Sequence, residues 1–468
     1  MKIFRSFPPQ GQEEVAMSPR KLSAVFGLGL AAALMPHLWA TAPSSLGSAP
    51  AHNWNQDLSV YQRRIHPREP ATGIDWNSRI SQLLQQEPGD LVITAVGDLI
   101  LNVPISGQRE PERQQLYRLL QESDLTYGNL EFSINEHPEE QGPFYNFRAD
   151  KSFGWELAAL GFNLVGLANN HSFDFGTKGL KDCLQTLDMS HITHAGAGLT
   201  LEDAHDPGIQ SVQGQKQKVA LLSYMRFWSA RFRSRDASGP SVATLNPATI
   251  LVAQNGKVEA VEGVQEDDIL TMEDNIIQAK RRGHLVIVAL HNHDVSHNRA
   301  FGIQDTTPPN DEIMYRRAVE AGADLVLGSG PHVLRGLELH QGKPIFFSLG
   351  NFIYQYRTPD RIPVDLPHQR DPEMPKGLNV SVWDRRESPE IMETLVARIV
   401  MNGGKPRKIQ LIPVLIDDEG PQYGVPRLVS DARARQILDR VRHLSEPYGT
   451  RMVDKQWYAE VLLPEAKK

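Results

Sequence analysis

The chain has 468 residues, enough for a large hydrophobic core and for one domain carrying additions or for more than one domain. Hydrophobic residues make up 40% and charged residues 22%, which is ordinary globular composition. A formal net charge of −7 argues against a nucleic-acid partner, which would need a broad Lys/Arg-rich face, and the single cysteine excludes an intramolecular disulfide or a Cys-based zinc site.

Arg20-Lys21 precedes an apolar run from Leu22 to Met35, followed by Trp39-Ala-Thr-Ala42. A basic n-region, an apolar h-region and small residues form a secretory signal (residues 1–42). The run falls short of the roughly 20 apolar residues that span a bilayer. Pro43 hinders cleavage after Ala42, so an uncleaved N-terminal anchor is the second reading. Either way the protein is expected to be exported, to the periplasm or cell envelope. Residues 43–90 read as a linker with one short helix from Trp76 to Gln86.

From Leu91 the pattern alternates. Leu91–Val96, Asp124–Asn129, Asn163–Ala168, Val219–Ser223, His284–Leu290 and Asp324–Leu327 are apolar runs of strand length. Between them lie helical patterns at Arg113–Leu120, Phe153–Leu160, Gly179–Met189, Glu273–Arg282 and Asp311–Ala321. Such alternation predicts an α/β sheet covered on its faces. Cys183 falls inside the helix of Gly179–Met189 and reads as a small packed residue. Residues 226–266 break the pattern as a long insertion that opens with the basic, aromatic Arg226-Phe-Trp-Ser-Ala-Arg-Phe-Arg-Ser-Arg235. A surface loop is the favoured reading there, an arginine-bearing lid the sharper one. Val333–Leu339 and Pro344–Leu349 read as a hairpin, and residues 357–468 as a C-terminal extension on the same domain. That extension holds strands near Leu395–Met401 and Lys408–Ile416 and an amphipathic helix Ser430–Leu444.

The ends of the strands carry the chemistry. Asn163-Leu-Val-Gly-Leu-Ala-Asn-Asn-His-Ser-Phe-Asp-Phe-Gly176 begins as a strand and closes on Asn169, Asn170, His171 and Asp174. Val96-Gly-Asp98, Gly128-Asn-Leu-Glu131, Ala289-Leu-His291 and Gly328-Ser-Gly-Pro-His332 end the same way. Ligands gather at the carboxyl ends of parallel strands. Each residue alone is a turn or a satisfied polar group; together they are the carboxylate, imidazole and amide set that divalent metals take. His291 and His293 sit one residue apart, so on an extended strand both face one way. A pair of ions would clamp both oxygens of an in-line displacement. His171 suits the general acid, with Asp174 orienting it.

In that order the motifs resemble the CapA family of bacterial capsule-synthesis (poly-γ-glutamate synthesis) proteins, related to calcineurin-like metallophosphoesterases. The matching pieces run from Ala95-Val-Gly-Asp98 through Phe147-Arg148, Ala-Asn-Asn-His171 and Ala195-Gly-Ala-Gly198 to Pro331-His-Val333 and Phe347-Ser-Leu-Gly-Asn-Phe352. They cover about residues 91–356. The resemblance implies a four-layer αββα sandwich of the metallophosphoesterase type, with an insertion at 226–266. It implies Asp98, Glu131, Asn170, His291 and His332 as ligands of one or two divalent ions (Mn, Fe, Zn or Ca), and His171 as the acid. Arg148 is the expected contact to an anionic substrate, and Asn169 joins it there. Three departures bear on the metals. Ile100 stands where phosphoesterases of this fold carry a histidine, and Gly330 stands at a position where relatives carry a ligand histidine. Asn292-His293 replaces the relatives' Trp-Gly. Either His293 supplies the missing ligand or one ion is absent.

Two functions follow. One is a metal-dependent hydrolase or transferase acting on a phosphoester or a polymer linkage in capsule or extracellular-polymer synthesis. The other is a non-catalytic component that binds an anionic polymer or membrane-bound assembly proteins. A nucleotidase with Phe227-Trp228 as a base-stacking slot is a weaker third.

Overall fold

Residues 74–137, 146–226, 239–254, 257–292, 305–355 and 389–464 are described by the computed structural model of this chain. The signal or anchor, most of the linker, Phe227-Trp228, His293 and the loop 357–376 lie outside them.

Alternation along the strands decides the layers. In Leu285–Asn292, residues 285, 287 and 289 face one core and residues 286, 288 and 290 another. Val219–Arg226 divides the same way, with Leu221 on the first side and Leu222 on the second. These strands are therefore buried on both faces, which is why they read as unbroken apolar runs. The first of those cores also takes Ile93, Ala95, Leu125 and Leu164 from a different sheet. It is the layer between two stacked sheets. Fully burying one such Ile or Leu contributes about 2 kcal/mol.

The first sheet runs Met452–Lys455, Tyr458–Val461, Lys405–Ile416, Glu393–Asn402, Leu91–Ile100, Leu125–Leu130, Leu164–Gly166, Thr193–Ala195. From Leu91–Ile100 onward the neighbours are parallel. The strands before it are antiparallel. The second sheet orders Thr244–Leu245, Val219–Arg226, Leu285–Asn292, Leu325–Ser329, Lys343–Phe346 and Leu337–His340. Helices Pro111–Gln121, Ser152–Leu160 and Gly176–Met189 supply the outer layer of the first sheet. Glu266–Arg281 and Pro309–Ala321 cover the second. This is the expected αββα sandwich. Cys183 is buried in the helix Gly176–Met189 beside Leu180, Leu184 and Leu187.

Some boundaries differ from the sequence reading. The helix expected at Glu273 begins at Glu266, with Glu266, Asp267 and Asp268 in a first turn where negative charge is favoured. The insertion is only partly a surface loop. Thr244–Leu245 extends the second sheet, and Val242, Ala243 and Leu245 are buried. Pro247–Gln254 and Lys257–Val264 form an antiparallel hairpin. Asn351–Tyr354, Thr193–Ala195 and the hairpin Met452–Lys455/Tyr458–Val461 were not legible as strands, being three or four residues long. The C-terminal helix Ala432–Ser445 seats Ile437, Leu438 and Val441 in the inter-sheet core.

Candidate metal centre

The parallel strands of both sheets end on one side, and backbone proximity sets the geometry there. Asn351–Tyr354 lies beside the end of Leu91–Ile100, with Asp98 opposite Asn351 on one flank and Asn129 on the other. That approach needs Gly97, since a Cβ there would lie 1.8 Å from the Gly350 carbonyl oxygen. The Asp98 amide donates to the same carbonyl at 2.9 Å, and the Glu131 amide donates to the Leu99 carbonyl at 3.0 Å. Asp98 and Glu131 are thereby fixed side by side at zero exposure.

His291 arrives from the second sheet, and one ligand atom each of Asp98, Glu131 and His291 lie within 4.8 Å of one another. His332 follows the strand Leu325–Ser329 in a left-handed backbone conformation (φ 60°), a strained state that the surrounding hydrogen bonds must hold. Its Nδ1 lies 3.2 Å from Asp98 Oδ2 and 2.9 Å from Asn351 Oδ1, and its Nε2 points to Glu131 Oε1 at 3.8 Å. Asn170 Oδ1 sits 2.7 Å from His291 Nε2. Asp98, Glu131, Asn170, His291 and His332 thus come together; His293 lies outside the described residues.

His171 reaches the same place from the loop after Leu164–Gly166. Its Nδ1 lies 2.7 Å from Asp174 Oδ2, which also accepts the Phe147 amide at 2.9 Å. The Phe147 ring packs on the imidazole at 4.5 Å between centroids. Its Nε2 then points inward, 4.0 Å from Glu131 Oε1. Asn169 is placed differently from a substrate contact. It is fully buried, and its amide donates to Asn129 Oδ1 and the Leu130 carbonyl. Its oxygen accepts the His171 amide at 3.1 Å. Arg148 stands exposed on the short strand Arg148–Ala149, 6.0 Å from the centre of the Phe175 ring.

Three positioning residues were missed as individuals although their motifs were visible. Asn129, in Gly-Asn-Leu-Glu131, places Nδ2 2.8 Å from Asp98 Oδ1 and 3.2 Å from His291 Nδ1. Ser329 Oγ lies 3.2 Å from His291 Nδ1. Asn351, in Ser-Leu-Gly-Asn-Phe352, orients His332 and donates to its carbonyl at 3.1 Å. Their signal was a position beside a strand end; nothing in sequence said that they would face the cluster.

The electrostatics do not balance within the protein. Both oxygens of Glu131 are buried and have no hydrogen-bond partner among the described residues. Burial first, and the Asp98 charge second, push its carboxyl well above the usual range. Burial would raise Asp98 too, but the hydrogen bond and charge of His332 hold it below its ordinary value. His332 itself, against the effect of burial, is raised to about 9 by Glu131 and Asp98. A buried carboxylate without a partner costs several kcal/mol unless a cation meets it. Two carboxylates with imidazole and amide groups are a donor set for a divalent ion. The residues fit the metal.

A family profile described as bacterial capsule synthesis protein PGA_cap matches residues 92–356, more than half of the chain. The chain belongs to this family. The match ends at the residue after Gln355, so Asp98, Glu131, His171, His291 and His332 all fall inside it. Among relatives, protein y4sH of Sinorhizobium fredii, itself uncharacterized, is 27% identical over 425 residues, 77% of this chain and 90% of its own. The capsule biosynthesis protein CapA of Bacillus anthracis is 26% identical over 326 residues, 64% of this chain and 69% of its own. Among solved structures, a Staphylococcus aureus protein described as a 5′-nucleotidase, crystallised with alpha-ketoglutarate, aligns at 12% identity and a TM-score of 0.35. That alignment covers 75% of this chain and 58% of the other.

Proposed function

We propose that this family member works in the assembly of a capsule or extracellular polymer of the poly-γ-glutamate type. In this reading it acts outside the cytoplasm as a divalent-metal hydrolase or transferase on a phosphoester or polymer linkage. The observation that carries the reading is Glu131, a fully buried carboxylate with no hydrogen-bond partner among the described residues, ringed by imidazoles. Asp98, Glu131, His291 and His332 would hold the ion, with Asn170 beside them. A divalent ion bound there supplies Lewis acidity at the attacked centre.

The rest is done by the chain. Asp174 pairs with His171 Nδ1 and fixes the ring, so Nε2 is the atom that exchanges a proton with the leaving group. Phe147 keeps water from one face of that imidazole. Arg148, exposed near Phe175, meets the negative charge of the substrate. Capsule-assembly proteins at the membrane are the partners this role requires, and the apolar run Leu22–Met35 exports the chain or tethers it beside them.

A second reading is a non-catalytic polymer- or partner-binding component. It is favoured by Ile100, which is packed in the core where it can bind nothing. Elemental analysis of the purified protein beside an Asp98→Ala/His291→Ala variant separates them, run with turnover of bis-p-nitrophenyl phosphate and of poly-γ-glutamate. Bound divalent metal lost in the double variant, and turnover lost in a folded His171→Ala protein, support the enzyme. Turnover untouched in both variants overturns it.

A further inference from the structure

We propose that Asn169 and Asn129 act as one positioning unit, a buried amide bridge that ties the backbone of the acid His171 to Asp98 and Glu131. This rests on the enzyme reading above and says how its proton donor is kept in register with its metal ligands.

The bridge is directed by groups whose hydrogen-bonding roles are fixed. The Leu130 carbonyl can only accept, and the His171 amide can only donate. Asn169 therefore turns Nδ2 to Leu130, at 2.8 Å, and Oδ1 to His171, at 3.1 Å. The same Oδ1 accepts the Ser172 hydroxyl at 3.2 Å. Asn169 Nδ2 also donates to Asn129 Oδ1 at 3.2 Å, which leaves Asn129 Nδ2 to donate to Asp98 Oδ1 at 2.8 Å. Turning either amide over would set acceptor against acceptor and donor against donor. Both side chains are buried, so these bonds are made in a medium where they are strong and a mismatch is costly.

The bridge takes over where backbone pairing stops. Asp98 lies opposite Asn129, and Asn129 opposite Gly166, across three adjacent parallel strands. Pairing of Leu125–Leu130 with Leu164–Gly166 ends at Asn129 and Gly166. The chain then leaves the sheet as the loop that carries Asn170 and His171. Asn169 returns that loop to the sheet at two points. One is Asn129, and through it Asp98. The other is the Leu130 carbonyl, which belongs to the same peptide unit as the Glu131 amide.

Asp174 restrains the His171 ring through Nδ1, but a ring is placed no better than the backbone that carries it. Asn169 supplies that second restraint. A proton donor works within about 3 Å of the atom it serves. A misplacement of about 1 Å costs on the order of 100-fold in rate. The bridge therefore acts on kcat more than on KM.

The test uses the full-length protein loaded with Mn(II), with bis-p-nitrophenyl phosphate as substrate. Circular dichroism checks folding, and elemental analysis gives bound metal. In Asn169→Ala, kcat per bound ion should fall about 100-fold, with KM changed by less than about twofold. Asn169→Asp keeps the shape and the acceptor for the His171 amide but loses the donors; it should show the same loss if the alanine variant does not fold. Because the two asparagines act as a unit, Asn129→Ala/Asn169→Ala should be no worse than about threefold below the weaker single variant. Losses that multiply in the double variant overturn the unit. A folded Asn169→Ala protein with unchanged kcat overturns the positioning role and leaves the enzyme reading standing. Absence of metal or turnover in the unaltered protein overturns the enzyme reading instead, and the bridge is then decided without either. In metal-free protein labelled with 15N-histidine, Asn129→Ala should shift the His171 ring resonances, identified by their loss in His171→Gln, although Asn169 stands between the two residues. Unmoved His171 resonances overturn the bridge.

Discussion

Glu131 and Glu393 are the same residue with the same zero exposure, and they sit in opposite surroundings. Glu393 opens the strand Glu393–Asn402 and accepts from Arg440 Nε at 3.0 Å and Arg433 Nη1 at 3.5 Å. Both arginines come from the helix Ala432–Ser445, so the ion pairs fasten that helix to the first sheet. Glu131 has Asp98 and three imidazoles around it and, among the described residues, no guanidinium or ammonium. Burial by itself therefore says little. A buried acid provided with a cation is part of the fold; one provided only with other metal-ligating groups marks chemistry.

Glu131→Gln should abolish metal binding, the largest functional loss, yet make the metal-free protein more stable, by about 1 kcal/mol in urea unfolding, since the cost of burying a carboxyl held above its usual range disappears. A metal-free protein weakened by that change would mean that Glu131 has a structural partner after all. Gly330→Ala should cost about 3 kcal/mol in the same experiment, because its backbone conformation and the Asn292 contact both oppose a Cβ.

Arg440→Ala should cost about 2 kcal/mol by leaving Glu393 buried with the half-exposed Arg433 alone. Glu393 thus responds with the opposite sign to Glu131. A midpoint unchanged from the unaltered protein would remove the contrast.

The pH dependence sharpens it further. His332 is raised from 6.5 to about 9, so its stabilising contribution is complete below its ordinary value and is lost as pH rises through about 9. Metal-free protein should lose stability over that interval, and His332→Gln should flatten the slope. The smallest effect belongs to Asp90. Burial opposes its ionisation, but Arg407, the Glu87 amide and Asn402 lower it from 3.8 to about 2. Its contribution is present above 3.8 and is lost as pH falls through about 2. Arg407→Ala should move the acid-unfolding midpoint upward, as followed by circular dichroism.

Much of this was written locally. The apolar runs of the second sheet showed doubly buried parallel strands, and their polar termini marked the end where a site forms. Asp98, Glu131 and His171 in the first sheet and His291 in the second were legible because each stands at or just past the end of an apolar run. Asn129 and Asn351 were not singled out, because an asparagine at a strand end is as often a turn residue. Asn169 was misjudged for the complementary reason: adjacent Asn169 and Asn170 look equivalent in sequence, but one is turned into the protein and the other toward His291.

The sequence by itself determined an α/β sheet covered on its faces and the end of the strands where polar groups collect, and the resemblance carried by its motif order implied the family and the αββα layering. These follow from periodicity and motif order, which are properties of neighbouring residues. Tertiary structure alone decided which groups meet. Asp98 and His332 are brought to 3.2 Å by the packing of two sheets. The Gly330 backbone is pressed against Asn292 by the spacing of adjacent strands. That Glu131 has no hydrogen-bond partner among the described residues could not be read from sequence either, because this depends on everything packed around it.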